Sequence, residues 1–203
     1  NTTKKVGKIY ARFDENGAYQ ITASYCMVNG RKMQVQYRTD PQVSDEILLA
    51  AILYAEAGGE RQTALFATLN QETIRVYKGQ LAVGYTILNR MASRSYPSTV
   101  KEIVYAQYQF EPARTGVLTA LLKDQTRIST ECRNTAKLLL KDYKAAQDSV
   151  KEFPRSEFTW CNFWALSYAR NYSDFFSVYK KNEYQIIGNQ VFFNYTKTIH
   201  SQS

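Results

Sequence analysis

The sequence predicts an α+β fold, predominantly helical, with a small N-terminal antiparallel β-meander. Three observations predict it. Residues 1 to about 40 are rich in aromatic and β-branched residues and are punctuated by Asn-Gly pairs. From position 45 onward the apolar spacing turns helical. The last segment, "YQIIGNQVFFNYTKTI", reads as two short extended pieces around Gly188-Asn189.

The first region contains "KIYARF", "AYQITASYC" and "KMQVQYR", separated by "ENG" at 15–17 and "VNGR" at 28–31. Asn-Gly between alternating runs is the strongest short hairpin signal, so a three-stranded meander is expected. So small a meander is marginal alone and needs something to pack on. Pro41 ends this region, which sets a boundary at 43: residues 1–43 form an appendage for docking or packing, and 44–203 form the main domain. Ser44 is an expected N-cap, with Asp45 and Glu46 at the positive end of a helix. Helices are expected near 45–57, 62–76, 79–93, 98–106, 115–123, 129–148 and 159–171, with a loop at 153–158 and Ser156 or Glu157 starting the last of them.

Composition narrows the chemistry. Net charge is +8, which favours polyanionic partners such as nucleic acid or an acidic bacterial wall. The basic residues are scattered, without a dense arm or a nucleic-acid motif, so nucleic acid is not the expected partner. No apolar run is long enough to span a membrane, and the basic start "NTTKKVGKIYARF" lacks the apolar core of a secretion signal. Sixteen Tyr, ten Phe and two Trp suit a groove on which sugar rings stack, although most such rings fill cores. Cys26, Cys132 and Cys161 form no CxxC pair, and the single histidine is His200, near the end of the chain. Zinc hydrolases need at least two histidines as a rule, so metal-dependent amidases and peptidases are not expected; a Ser-His-Asp triad needs a histidine held rigidly, and a Cys-His hydrolase requires His200 to be tied down. Neither a metal nor a cofactor is expected. Carboxylate chemistry remains. Cys132 and Cys161 read as ordinary buried small residues.

The candidate acid lies in "LLAAILYAEAGGE", residues 48–60. Leu49, Ile52 and Leu53 form one helical stripe, and Glu56 continues it at i+4 and i+3. Burial and the negative end of the helix dipole both raise the pKa of a carboxyl placed there. A glutamic acid protonated near neutral pH is what a general acid for glycosidic cleavage requires. Gly58-Gly59 ends the helix and leaves room beside it. The competing reading is a helix-end glutamate that reaches solvent or pairs with an arginine. Glu60 is either a second carboxylate for an inverting mechanism or a turn residue bonding backbone amides. Glu111 in "QFEP" is expected in solvent, and Arg90 is a candidate partner for Glu60 or for a substrate carboxylate.

Three stretches, "YAEAGGE" (54–60), "GQLAVGYTILNRMASRSYPSTVKEIVYAQYQF" (79–110) and "IGNQVFFN" (187–194), together resemble the SleB/CwlJ family of bacterial cell-wall hydrolases. The matching positions are Glu56, Gly59 and Glu60; Gly79, Gln80, Ala82 and Val83; Asn89 and Arg90; Tyr96-Pro97, Tyr105 and Gln109-Phe110; and Gly188-Asn189, in family order over residues 45–195. The resemblance implies a lysozyme-like catalytic domain that cleaves peptidoglycan between MurNAc and GlcNAc as a lytic transglycosylase, with Glu56 as general acid and then base. A water-using muramidase with Glu60 as second carboxylate is the alternative enzyme. A structural or wall-binding virion component with weak activity is the alternative class. Substrate contacts are expected from Asn89, Tyr105, Gln109, Phe110, Asn189 and Gln190. The expected partner is the peptidoglycan polymer, with virion or cell-wall proteins expected on residues 1–43; the expected site of action is the bacterial cell wall or periplasm, with release from a virion or through a holin expected in the absence of a signal peptide.

The chain departs from the family in three places. Residues 61–78 form an insertion, read as helical, beside the cleft. Gln190 and Phe193 stand where the family has His and often Tyr, which removes a titratable group and a hydroxyl. "WCNFWALSYARN" replaces the usual substrate-side segment.

Overall fold

Five short strands precede the first helix: β1 (Thr2–Val6), β2 (Ile9–Phe13), β3 (Tyr19–Gln20), β4 (Ser24–Val28) and β5 (Arg31–Val35). The computed structural model describes residues 40–148 and 158–200, and within 1–39 the backbone of these strands. Sheet order is β1-β2-β3 in one sheet and β4-β5 in another, all antiparallel. The expected single meander is therefore two small sheets. Its middle run contributes to both β3 and β4, and the polar "TTKKV" pairs antiparallel with β2, Val6 opposite Ile9. The β4–β5 hairpin is where Asn29-Gly30 predicts it, with Val28 opposite Arg31.

Ser44 caps α1 (Asp45–Ala57) as expected, its hydroxyl accepting from the Ile47 N–H at 3.3 Å. Leu48 through Leu53 are all buried, so α1 is apolar on every face and forms the axis of the core. Each fully buried Leu or Ile here contributes about 1.5–3 kcal/mol. The stripe is thus not what buries Glu56, since the helix is covered all round; its position at the helix end decides its environment.

Residues 62–76 are not a helix. They form the hairpin β6 (Ala64–Leu69) and β7 (Glu72–Tyr77). Asn70 and Gln71 at the turn have φ of 49° and 70°, the double left-handed signature of a type I′ turn. Leu69, Ile74 and Val76 point inward against Leu81 and Leu138, while Phe66 and Arg75 pair on the outer face. The helical expectation fails because burial here has a period of two, and the Thr, Ile and Val content suits strands.

α2 (Lys78–Ala92), α3 (Val100–Tyr105) and α6 (Thr130–Asp148) match their expected positions. The helix expected at 115–123 is α5 (Val117–Lys123), and a short α4 (Glu111–Thr115) that was not expected precedes it across Gly116, φ 90°. The helix expected at 159–171 begins instead as β8 (Asn162–Ala165) and becomes helical only in α7 (Leu166–Asn171). Pairing with a later strand overrides local propensity there: Phe163 lies opposite Phe192. After α8 (Phe175–Val178), β9 (Tyr184–Ile187) and β10 (Gln190–Phe193) form the expected extended pair, and the sheet order is β8-β10-β9. One sheet face packs on the main core through Phe163, Ile187 and Phe192; Val191 and Phe193 face a second small core with Phe175 and Tyr179. The loop residues 153–157, with Ser156 and Glu157, lie outside the described residues.

Among the described residues no helix is long and apolar enough to cross a membrane, and no cluster of His, Cys, Asp or Glu is arranged to hold a metal ion. Cys132 and Cys161 are free thiols, the first buried and the second partly so; Cys26 lies outside the described side chains.

Candidate active site

The last turn of α1 is held by two glutamines from other elements. Gln190, at the start of β10, donates its side-chain amide to the Glu56 carbonyl at 3.3 Å. Gln80, on α2, donates to the Ala57 carbonyl at 3.5 Å and accepts from the Thr135 hydroxyl on α6. These are among the carbonyls a helix C-terminus leaves without intrahelical partners. Gly58 N–H bonds the Tyr54 carbonyl and Glu60 N–H that of Ala57, which completes the turn. The backbone under Glu56 is fixed from three sides.

The Glu56 carboxyl itself has no hydrogen-bond partner among the described residues. Its pKa is pushed up from 4.5 to about 7, first by burial and then by the negative charge of Glu111, with the Arg90 guanidinium pulling the other way. A carboxylic acid near neutral pH sits at the end of α1, where the sequence places it. Glu111 lies in solvent as expected. It is exposed and paired with Arg114 at 3.2 Å, yet its charge reaches Glu56.

Glu60 occupies the space between two glycines. Its Oε1 accepts from the Gln62 N–H at 2.7 Å, and its side chain lies where a Cβ on Gly79 or Gly188 would stand. Those are the family-motif glycines at the start of α2 and in the β9–β10 turn, where Gly188 has φ 56°. Glu60 therefore bridges the end of α1, the start of α2 and the last hairpin.

Arg90 is almost wholly buried at 4% exposure. It donates from Nε to the Cys161 carbonyl, from one terminal nitrogen to Gln109 Oε1 at 3.2 Å, and from the other to Asn162 Oδ1 at 3.3 Å. The rings of Tyr96 and Phe110 lie 5.4 and 5.5 Å from its Cζ. A planar fork with three acceptors and two aromatic faces is a role lysine cannot fill. Burial pushes the Cys161 thiol up despite Arg90 beside it.

The expected substrate residues divide into groups. Asn89 donates to the Phe158 and Trp160 carbonyls at 2.9 and 3.0 Å, tying α2 to the segment before β8; its Oδ1 is buried without a partner among the described residues. Gln109 holds Arg90 and donates to the Gln107 carbonyl. The Tyr105 hydroxyl donates to Asp40, and burial first, then this contact, raises its pKa. Phe110 is core, 6.0 Å from the Phe163 ring. Tyr105 and Phe110 nevertheless border a cavity of about 260 Å³ that Gln107, Tyr108 and Arg114 also line. Asn189 is exposed, and its carbonyl accepts from Leu166 N–H at 2.8 Å. Gln190 serves the backbone of Glu56. The bridge of Gln80 from Ala57 to Thr135 and the packing of Glu60 on Gly79 and Gly188 join elements distant in the chain, for which the sequence carries no local signal.

A family model described as Cell Wall Hydrolase matches residues 75–193. The match begins within β7 and so lies past Glu56 and Glu60. No curated protein matches. Among solved structures, the chain is similar to the catalytic domain of the germination-specific lytic transglycosylase SleB from Bacillus anthracis, at 21% identity and a TM-score of 0.43, over 78% of this chain and 100% of that one. It is similar to the catalytic domain of the Bacillus cereus SleB protein at 21% identity and a TM-score of 0.43, over 78% of this chain and 98% of that one.

Proposed function

Because the chain belongs to the cell wall hydrolase family, whose substrate is peptidoglycan, we propose that it cleaves the glycan strand between MurNAc and GlcNAc as a lytic transglycosylase, with Glu56 as the acid and then the base. The observation that carries this reading is the Glu56 carboxyl, kept protonated to about pH 7 on a fixed helix end. In the first half of the reaction Glu56 gives its proton to the glycosidic oxygen as the bond to the anomeric carbon breaks. In the second, the 6-hydroxyl of the same MurNAc attacks that carbon, and the Glu56 carboxylate takes the hydroxyl proton. The bond formed closes a 1,6-anhydro ring, and the acid is regenerated without water.

This route needs one titrating carboxyl, and Glu60 is better suited to holding the site together. Its carboxylate bonds a backbone amide and packs on two glycines. Gln190 and Arg90 act as positioning residues, the first through the Glu56 backbone and the second through Gln109 and Asn162. Residues 1–43 form a β appendage to the catalytic domain at 44–203, a reading supported by the pairing of β1–β5 with one another among the described residues. Docking to another wall-associated protein is the role proposed for it.

Mass spectrometry of fragments released from purified sacculi tests the reaction. Anhydro-ended disaccharides are expected; reducing ends would assign the chain to water-using muramidases and restore Glu60 as the second carboxylate.

A further inference from the structure

The turn Ala106–Gln109 carries a tyrosine where its geometry asks for glycine. The Gln109 N–H bonds the Ala106 carbonyl at 3.2 Å, which closes a four-residue turn. Tyr108 is its third residue, with φ 62°. A positive φ at that position defines a type II turn, which favours Gly or Asn and strains any side chain with a Cβ. The turn is not left to relax: the Gln109 side chain is clamped by Arg90 and itself donates to the Gln107 carbonyl. Nothing in the fold repays the strain, because the Tyr108 ring is 76% exposed and makes no ring contact or hydrogen bond among the described residues. Strain retained at an exposed residue is a place to look for function.

Beside that ring lies the 260 Å³ cavity, floored by Tyr105 and Phe110 and edged by Gln107 and Arg114. Phe110 and Ala113 on the cavity wall flank Glu111, the residue whose negative charge helps raise the Glu56 pKa. Pockets for drug-sized ligands run to about 300–1,000 Å³. A cavity just below that range takes one saccharide unit rather than two.

We propose that Tyr108 and the cavity it edges form a subsite for a single N-acetylhexosamine ring of the glycan strand, the sugar's apolar face stacking on the tyrosine. The inference rests on the reading of the chain as a glycan-strand enzyme. It explains why a ring is kept on a backbone that resists it: an aromatic face offers contact area with little entropy to lose. The Arg90–Gln109 clamp holds the turn that carries the ring.

The test uses soluble uncrosslinked glycan strands and the full chain carrying Glu56→Gln, so that binding is read without turnover. Adding Tyr108→Gly is expected to weaken Kd about tenfold, ~1.4 kcal/mol, while Tm stays level or rises because the turn relaxes. Tyr108→Trp is expected to keep the affinity. Equal Kd with and without Tyr108→Gly overturns the subsite. So does a fall in Tm with Kd unchanged, which would assign the ring to the fold. If the Glu56→Gln chain still cleaves the strands, the functional reading itself fails, whatever Tyr108 does.

Discussion

The Glu60 carboxylate fills the place a side chain on Gly188 would take. The same side chain runs over Gly79, whose Cβ would stand 2.5 Å from Glu60 Cγ. Three chain segments therefore meet around one carboxylate, and each glycine is required by contact; at Gly188 the φ of 56° adds a second reason. Gly188→Ala is expected to destabilise the protein by about 2 kcal/mol or more, from left-handed strain and the displaced Glu60 together. Urea denaturation measures it. Combining it with Glu60→Ala is expected to cost less than the sum of the two single changes, since the clash is then gone. Strict additivity would show that Glu60 and Gly188 do not share this space.

Glu56 makes the protein less stable as pH rises. Its folded pKa, about 7, lies above the ordinary 4.5, so the native state binds more protons than the unfolded chain between those values. The protonated form's advantage is complete below pH 4.5 and lost as pH climbs through 7, a loss of at most about 3 kcal/mol at 1.36 kcal/mol per pKa unit. Glu56→Gln, neutral throughout, is expected to raise Tm at pH 8 and leave it unchanged at pH 4. Thermal unfolding at the two pH values checks this, and an equal shift at both would contradict a raised pKa.

Two charges act on Glu56 with opposite sign. Glu111 raises its pKa and Arg90 lowers it. Glu111→Gln is expected to move the alkaline limb of the pH–rate profile to lower pH, by less at high salt because Glu111 is exposed. Arg90→Gln is expected to move it to higher pH. Arg90→Lys keeps the charge, so it should leave the limb in place while costing about 2–3 kcal/mol of stability through the lost fork. Shifts in the same direction for the two charge removals would contradict this electrostatic account.

Much of this was legible in the sequence, and the gaps have physical causes. α1 was readable because its Ser44 cap and its apolar run agree with its burial, and α2 because its apolar period agrees with its buried face. The 61–78 insertion was misread as helical because Leu65, Leu69, Val76 and their neighbours admit either period; the Asn70-Gln71 turn lacks the glycine that announces a hairpin. β8 was hidden because its pairing partner, β10, lies far along the chain. Glu56 was found by a stripe argument, although α1 is buried on every face. Gln190 in place of the family histidine reads as a lost titratable group; in the fold it is an amide donor to the Glu56 carbonyl, a contact across sheet and helix that local sequence does not reveal. Glu111 lay beyond the sequence for the same reason, since its effect depends on where α4 begins relative to α1.

The rate at which Glu56→Gln clears purified sacculi, beside wild type at pH 6, tests the central claim most directly. Removing the proton donor is expected to cost at least about 10²-fold in rate with Tm preserved or raised. Clearance at the wild-type rate would contradict the assignment of Glu56 as the catalytic acid.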